Sequence, residues 1–219
     1  MVNVKKSQPA PPCLAIEKAK PNGDYKCDDV IERVATDFND KCYICEYKGL
    51  TGIHVEHFVP HKKNKDLKFD WKNLFYACVH CNSIKGIKYT NILNCTDSTH
   101  NVLNWIKYEI KPFPKEKPKI TALKNESKVH ETVELLNAVY AGTTKTKKKE
   151  AKSIRDSLTE EVMAFGNLLF DYFKYGKNKD TYKKIKWHLS NSSDFTAFKH
   201  WIVKDNDELK NEFNKLLSP

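Results

Sequence analysis

Two CxxC pairs, Cys42-Tyr-Ile-Cys45 and Cys78-Val-His-Cys81, constrain this chain more than any other feature. Two such knuckles separated by one loop present four thiolates, which a tetrahedral Zn²⁺ takes together. The segment from Cys42 to about Tyr89 is too polar to fold around apolar contacts alone. Short β-like pieces such as residues 53–59 alternate there with Gly49, Gly52 and Pro60. A metal staple supplies what the missing core does not. A redox-active CxxC needs no second pair and normally follows a strand in a thioredoxin-like pattern, which is not found here. The quartet therefore reads as a structural zinc site, and four cysteine ligands leave no open coordination position for catalysis.

Seven cysteines, an odd number, in a chain that starts Met1-Val-Asn-Val-Lys-Lys6 and runs into Ser-Gln-Pro9 fit metal binding in a reducing compartment better than disulfides. Cys13, Cys27 and Cys95 stand alone and are read as small buried apolar residues without a role. The longest apolar stretches, such as 162–169, are too short and interrupted to cross a bilayer. A soluble, cytoplasmic protein with no membrane partner is expected. The formal net charge of +10 favours a polyanionic partner through counterion release and steering, with nucleic acid first among the candidates. Because that positive charge is nearly all lysine, a merely solvated basic surface remains the alternative.

Along the chain, residues 1–26 contain Pro9, Pro11, Pro12 and Pro21 and little apolar period, which predicts an extended N-terminal arm. Val30, Ile31, Val34 and Phe38 recur at helical spacing behind Asp28 or Asp29, predicting a short helix that leads into the knuckles. The zinc module is assigned to residues 27–110. Pro112, Pro114 and Pro118 among lysines mark 111–119 as a connector, and 120–219 reads as a mostly helical region. Helices are predicted over about 126–140 and 147–175, the second with an apolar face of Ile154, Leu158, Val162, Phe165, Leu169 and Phe173. Two more are marked by Phe195, Phe198 and Ile202, and by Leu209, Phe213 and Leu216. All of these stripes are core positions.

Between the knuckles lies Ile53-His-Val-Glu-His-Phe-Val-Pro60, then Asp70-Trp-Lys-Asn-Leu-Phe75, and the second knuckle continues into Asn82-Ser-Ile-Lys-Gly86. This order of CxxC, acid–His, Asn-Leu and CxxCN-x-x-KG resembles the zinc-stapled branch of the HNH endonucleases. In detail it is similar to the PtuB-like HNH nucleases of Septu-type anti-phage defence systems, some of them paired with retrons. The similarity runs from about Tyr25 to Gly86. It implies an α+β protein with a ββα-metal, treble-clef-like core held by zinc knuckles, followed by a helical region. It also implies a partner, a PtuA-like ABC-type ATPase docked on residues 120–219, or a retron RNA/DNA–reverse transcriptase assembly.

Carried over residue by residue, the resemblance makes His57 the general base that deprotonates the attacking water. An imidazole suits that task because it titrates near working pH. Glu56 and Asn82 become ligands of a catalytic Mg²⁺ or Mn²⁺, with Glu in place of the commoner Asp lengthening the reach by one methylene. Hard oxygen donors suit such an ion while thiolates select zinc, so two metals share one module without competing. Asn73 holds the loop that carries His57. His54, His61 and Lys85 are candidate substrate contacts, with a solvated or structural histidine and a helix-terminal lysine as their alternatives. His80 is left without a role. Lys145, Lys147, Lys148, Lys149 and Lys152 form a basic run that either tracks a phosphate backbone or is solvated. The activity implied is hydrolysis of nucleic-acid phosphodiester bonds, DNA favoured over RNA. The competing readings are an RNA- or tRNA-cleaving effector and a non-catalytic zinc module that binds nucleic acid or a partner, which would need the cysteines but not Glu56, His57 and Asn82.

Overall fold

Five-residue strands are marginal by themselves, and the centre of this protein is a hairpin of two of them that survives because helices cover it. The computed structural model describes residues 1–49 and 52–217. Residues 50, 51, 218 and 219, the last two closing the expected helical region, lie outside the described residues. β1 (Ile53–His57) pairs antiparallel with β2 (Leu74–Cys78), with Ile53 opposite Cys78 and His57 opposite Leu74. Alternation along β1 sets His54 and Glu56 on one face and Val55 and His57 on the other.

Before the hairpin come α1 (Cys13–Ala19) and α2 (Asp28–Asp37), the latter packed on β2 through buried Val30 and Val34. Between the strands lie α3 (Lys65–Lys68), capped by Asn64 Oδ1 at 2.8 and 3.1 Å from the amides of Asp66 and Leu67, and a 3₁₀ turn, Trp71–Asn73, capped by Asp70. α4 (Val79–Lys85) returns across both strands, completing a ββα unit. It ends at Gly86, whose φ of +46° is the left-handed value that suits glycine at a helix C-terminus.

The remainder is α5 (Val102–Trp105), β3 (Ile106–Glu109), β4 (Lys119–Ala122), α6 (Ser127–Ala141), α7 (Lys145–Lys174), α8 (Lys179–His188), α9 (Thr196–Lys204) and α10 (Asp207–Phe213). Among the described residues no helix is long and apolar enough to cross a membrane. The architecture is therefore α+β, with two small hairpins among the described residues of a mostly helical protein. One apolar cluster joins the ββα unit to α6, α9 and the first half of α7; a second gathers Phe165, Leu169, Tyr172, Ile185, Leu189, Val203 and Phe213.

Several expectations change. Residues 1–26 are not simply extended: α1 forms there, and Met1 and Val2 are buried in the main cluster because apolar surface is available for them to cover. Cys13 and Cys27, read as unpaired, are bonded to each other; α1 and α2 pack together and bring the start of one helix to the cap of the next. Cys95 is buried and free. The Pro/Lys segment 111–119 serves as a hairpin connection between the paired strands β3 and β4, its last residue, Lys119, already opening β4 opposite Glu109. On α7 the buried face ends on Tyr172, not Phe173, which is 38% exposed, because Tyr172 packs on Phe213 and donates to Glu212 at 2.8 Å. Helix α8 carries too few apolar residues to have been marked by period.

Candidate metal centre and active site

The zinc quartet is assembled by the hairpin. Cys42 and Cys45 precede β1, Cys78 ends β2, and Cys81 sits in the first turn of α4, where its amide donates to Cys78 Sγ at 3.3 Å. All four side chains are buried and their sulfurs lie within 4.8 Å of one another. A zinc–sulfur bond of about 2.3 Å gives a tetrahedral edge of about 3.8 Å, so the cage fits Zn²⁺. Burial pushes the Cys45 and Cys81 thiols well up, whereas at Cys42 the hydrogen bonds from the other three outweigh burial and hold it well down. Without a cation the cage cannot carry four thiolates; a dication removes that obstacle. His80, in the second knuckle, is no ligand: Nε2 donates to Val139 O at 2.9 Å and Nδ1 faces Glu150 Oε2 at 2.8 Å, tying the knuckle to α6 and α7.

On the opposite side of α4 from that tie, a pocket of about 590 Å³ is lined by His54, Glu56, His57, His61, Asn82 and Lys85. The hairpin and α4 thus bring together all the expected active-site residues but Asn73. His57 is half-buried, with Nε2 3.0 Å from the Lys68 carbonyl oxygen. A carbonyl only accepts, so Nε2 carries the proton and Nδ1 keeps its lone pair. Burial, the largest cause, shifts His57 below its ordinary pKa and keeps the ring neutral at pH 7. Tyr25 and His61 meet the ring edge-on, with centroids at 4.4 and 4.6 Å.

Asn73 lies outside the pocket and pins the loop after β1. Its Oδ1 accepts from Val59 N at 2.7 Å, and its Nδ2 donates to Val59 O at 2.9 Å and Leu67 O at 3.0 Å. Glu56 is buried beneath the pocket, accepting a hydrogen bond from Tyr43 Oη and lying 3.6 Å from Lys85 Nζ. Burial raises its carboxyl to about 7 against the pull of Lys85 and Tyr43. Asn82 Nδ2 donates to His54 Nδ1 at 2.9 Å, leaving its amide oxygen available to another partner. Among the described residues the cysteine quartet is the one group of three or more His, Cys, Asp or Glu ligand atoms close enough to share an ion.

Lys85 is 1% exposed, and its ammonium donates to Phe58 O at 3.0 Å and His57 O at 3.3 Å. It braces the strand end from inside, below the surface a substrate would touch. Of the basic run at the head of α7, Lys147 and Lys152 are paired with Glu150 and Asp156. Tyr25 had no assigned role in the sequence; nothing local marks it, since its partner is 32 residues away in the chain and only the fold brings them together.

A ββα unit with four converging cysteines, an acid–His pair at the end of its first strand and an asparagine on its helix is the arrangement that the resemblance to the HNH endonucleases implies. Residues 42–88 match the model of the HNH endonuclease family, and the match is confined to that segment. It is also similar to the Septu protein PtuB of Bacillus thuringiensis, 34% identical over 80 residues. That alignment covers 33% of this chain and 31% of the relative, so the likeness spans about a third of either protein.

Proposed function

We propose that this protein is an HNH endonuclease that hydrolyses phosphodiester bonds, DNA in preference to RNA, as the nuclease effector of a cytoplasmic anti-phage defence complex. The observation that carries the reading is His57 itself. Its Nε2 is committed to the Lys68 carbonyl, its ring is neutral, and Nδ1 is left as a base on a pocket large enough for a phosphodiester. Nδ1 takes the proton of a water that attacks phosphorus in line; the P–O bond to the 3′ oxygen breaks, leaving 5′-phosphate and 3′-hydroxyl ends. Tyr25 and His61 fix the ring plane, and Asn73 fixes the loop on which it hangs.

Glu56 and the Asn82 amide oxygen would hold the catalytic Mg²⁺ or Mn²⁺, a donor set of hard oxygens that fits such an ion. Held there, such an ion would supply electrostatic stabilisation of the negative charge that builds up during hydrolysis. Burial raises the Glu56 carboxyl to about 7, and a cation bound beside it would draw it back into the ionised form that ligates. Zinc remains scaffold. A PtuA-like ABC-type ATPase, alone or in a retron assembly, is the proposed partner. Exposed Met163, Phe170 and Trp187 on α7 and α8, outside the matched segment, offer it apolar contact.

The test is cleavage of plasmid DNA and bulk tRNA, with Mg²⁺ or with a chelator, by the parent and His57→Ala, each with and without the ATPase. Metal-dependent cutting lost in His57→Ala while zinc content stays at one per chain is expected. Absence of cutting under every combination would move the assignment to a non-catalytic zinc module.

A further inference from the structure

Lysines surround the pocket, but they fall into two groups. Those away from its mouth are engaged: Lys18 pairs with Asp66 at 2.6 Å, Lys65 donates to Lys20 O at 3.0 Å, Lys68 donates to Gly23 O at 2.7 Å, and Lys85 is buried under the strand end. Lys26, Lys62 and Lys63 are exposed and line the pocket, and among the described residues none has a carboxylate within 4.0 Å. Three unneutralised ammonium groups at the entrance of a site with a general base constitute a field for one kind of ligand, a polyanion.

The backbone adds a second observation. Lys62 and Lys63 are consecutive left-handed residues, with φ of +42° and +67°. For side chains with a Cβ that region is unfavourable, and glycine or asparagine relieves it. The turn is held from both ends, by Asn73 on Val59 and by Asn64 at the start of α3, and Lys63 N donates to His61 Nδ1 at 3.2 Å. A turn needing only its geometry would be served better by Gly or Asn at either position; lysine at both is explained by the charge it carries to the pocket.

We infer that Lys26, Lys62 and Lys63 form a clamp for the sugar–phosphate backbone of a nucleic acid, gripping it on either side of the phosphodiester presented to His57. The inference rests on the nuclease reading and goes beyond it by assigning the binding surface to the rim and not to His54, His61 or Lys85. It places the grip on phosphates, so the clamp carries no base specificity.

The experiment measures binding of a short duplex DNA, and of its single strand, to full-length zinc-loaded protein over a range of salt concentrations, in a His57→Ala background so that nothing is cut. Lys26→Gln, Lys62→Asn and Lys63→Asn are compared singly and together, with Lys183→Gln on α8 as control. Each rim lysine removed should make the slope of log affinity against log salt shallower by about 0.9 on the duplex, or about 0.7 on the single strand. The Asn variants should unfold at no lower temperature than the parent, because asparagine accepts the left-handed turn, so lost binding is not lost folding. Slopes parallel to the parent in all three variants, with the parent binding normally, would remove the clamp and leave the nuclease reading standing. A parent that binds neither probe overturns both together.

Discussion

Replacing Asn73 with alanine is the sharpest perturbation of this site, because the side chain is buried, makes three hydrogen bonds and lies outside the pocket. The bonds run to Val59 N, Val59 O and Leu67 O at 2.7, 2.9 and 3.0 Å. At a net of about 1 kcal/mol each, their loss amounts to about 3 kcal/mol, two decades in the folding constant. Asparagine to aspartate should be no milder: it keeps an acceptor for Val59 N but sets a carboxylate against two carbonyl oxygens. Denaturant unfolding of the zinc-loaded protein reads the stability. Cleavage kinetics read the consequence at His57, one residue from the pinned segment's first strand bond, Phe58 N to Asn73 O at 2.9 Å. The expected pattern is a fall in kcat with nucleic-acid affinity retained. A stability loss under about 1 kcal/mol, with kcat unchanged, would refute the view that Asn73 holds the base in place.

Two further outcomes follow from the structure. Stripping zinc, or Cys78→Ser, should melt the hairpin and α4 while the second apolar cluster around Phe165 and Phe213 keeps its helices, since no knuckle residue belongs to it; zinc sites of this kind contribute on the order of 10 kcal/mol, and circular dichroism unchanged by chelation would contradict the assignment. Glu161, whose Oε1 meets Lys199 Nζ at 2.6 Å and His188 Nδ1 at 3.0 Å, is held at about 2 because those partners outweigh its burial. A depressed carboxyl gives stability that is fully present above the unfolded value of 4.5 and is lost as pH falls through about 2, so Glu161→Gln should cost on the order of 3 kcal/mol at pH 7 and progressively less below pH 4.5. Parallel stability curves for parent and variant across that window would sink the argument.

What the sequence determined by itself was local in origin. Ligand spacing set the cysteine quartet, because a tetrahedral ion takes thiolates from two knuckles wherever the intervening loop runs. Helical period set α7, where Ile154, Leu158, Val162, Phe165 and Leu169 are all buried as their spacing requires. The order of the acid–His pair, Asn73 and Asn82 was legible too; the hairpin and α4 bring Glu56, His57 and Asn82 to one pocket, and Asn73 stays outside it, pinning the loop after β1.

The tertiary structure decided whatever depends on a partner distant in sequence. Lys85, a solvent-facing residue by type, is turned inward because the carbonyls of His57 and Phe58 await it there. Tyr25 comes to lie on His57, His80 is claimed by Glu150 and Val139, and Cys13 finds Cys27, each through packing that no local spacing encodes. Tyr172 replaces Phe173 on the buried face for the same reason: period fixes which residues share a stripe, but the neighbouring helices decide where that stripe is covered.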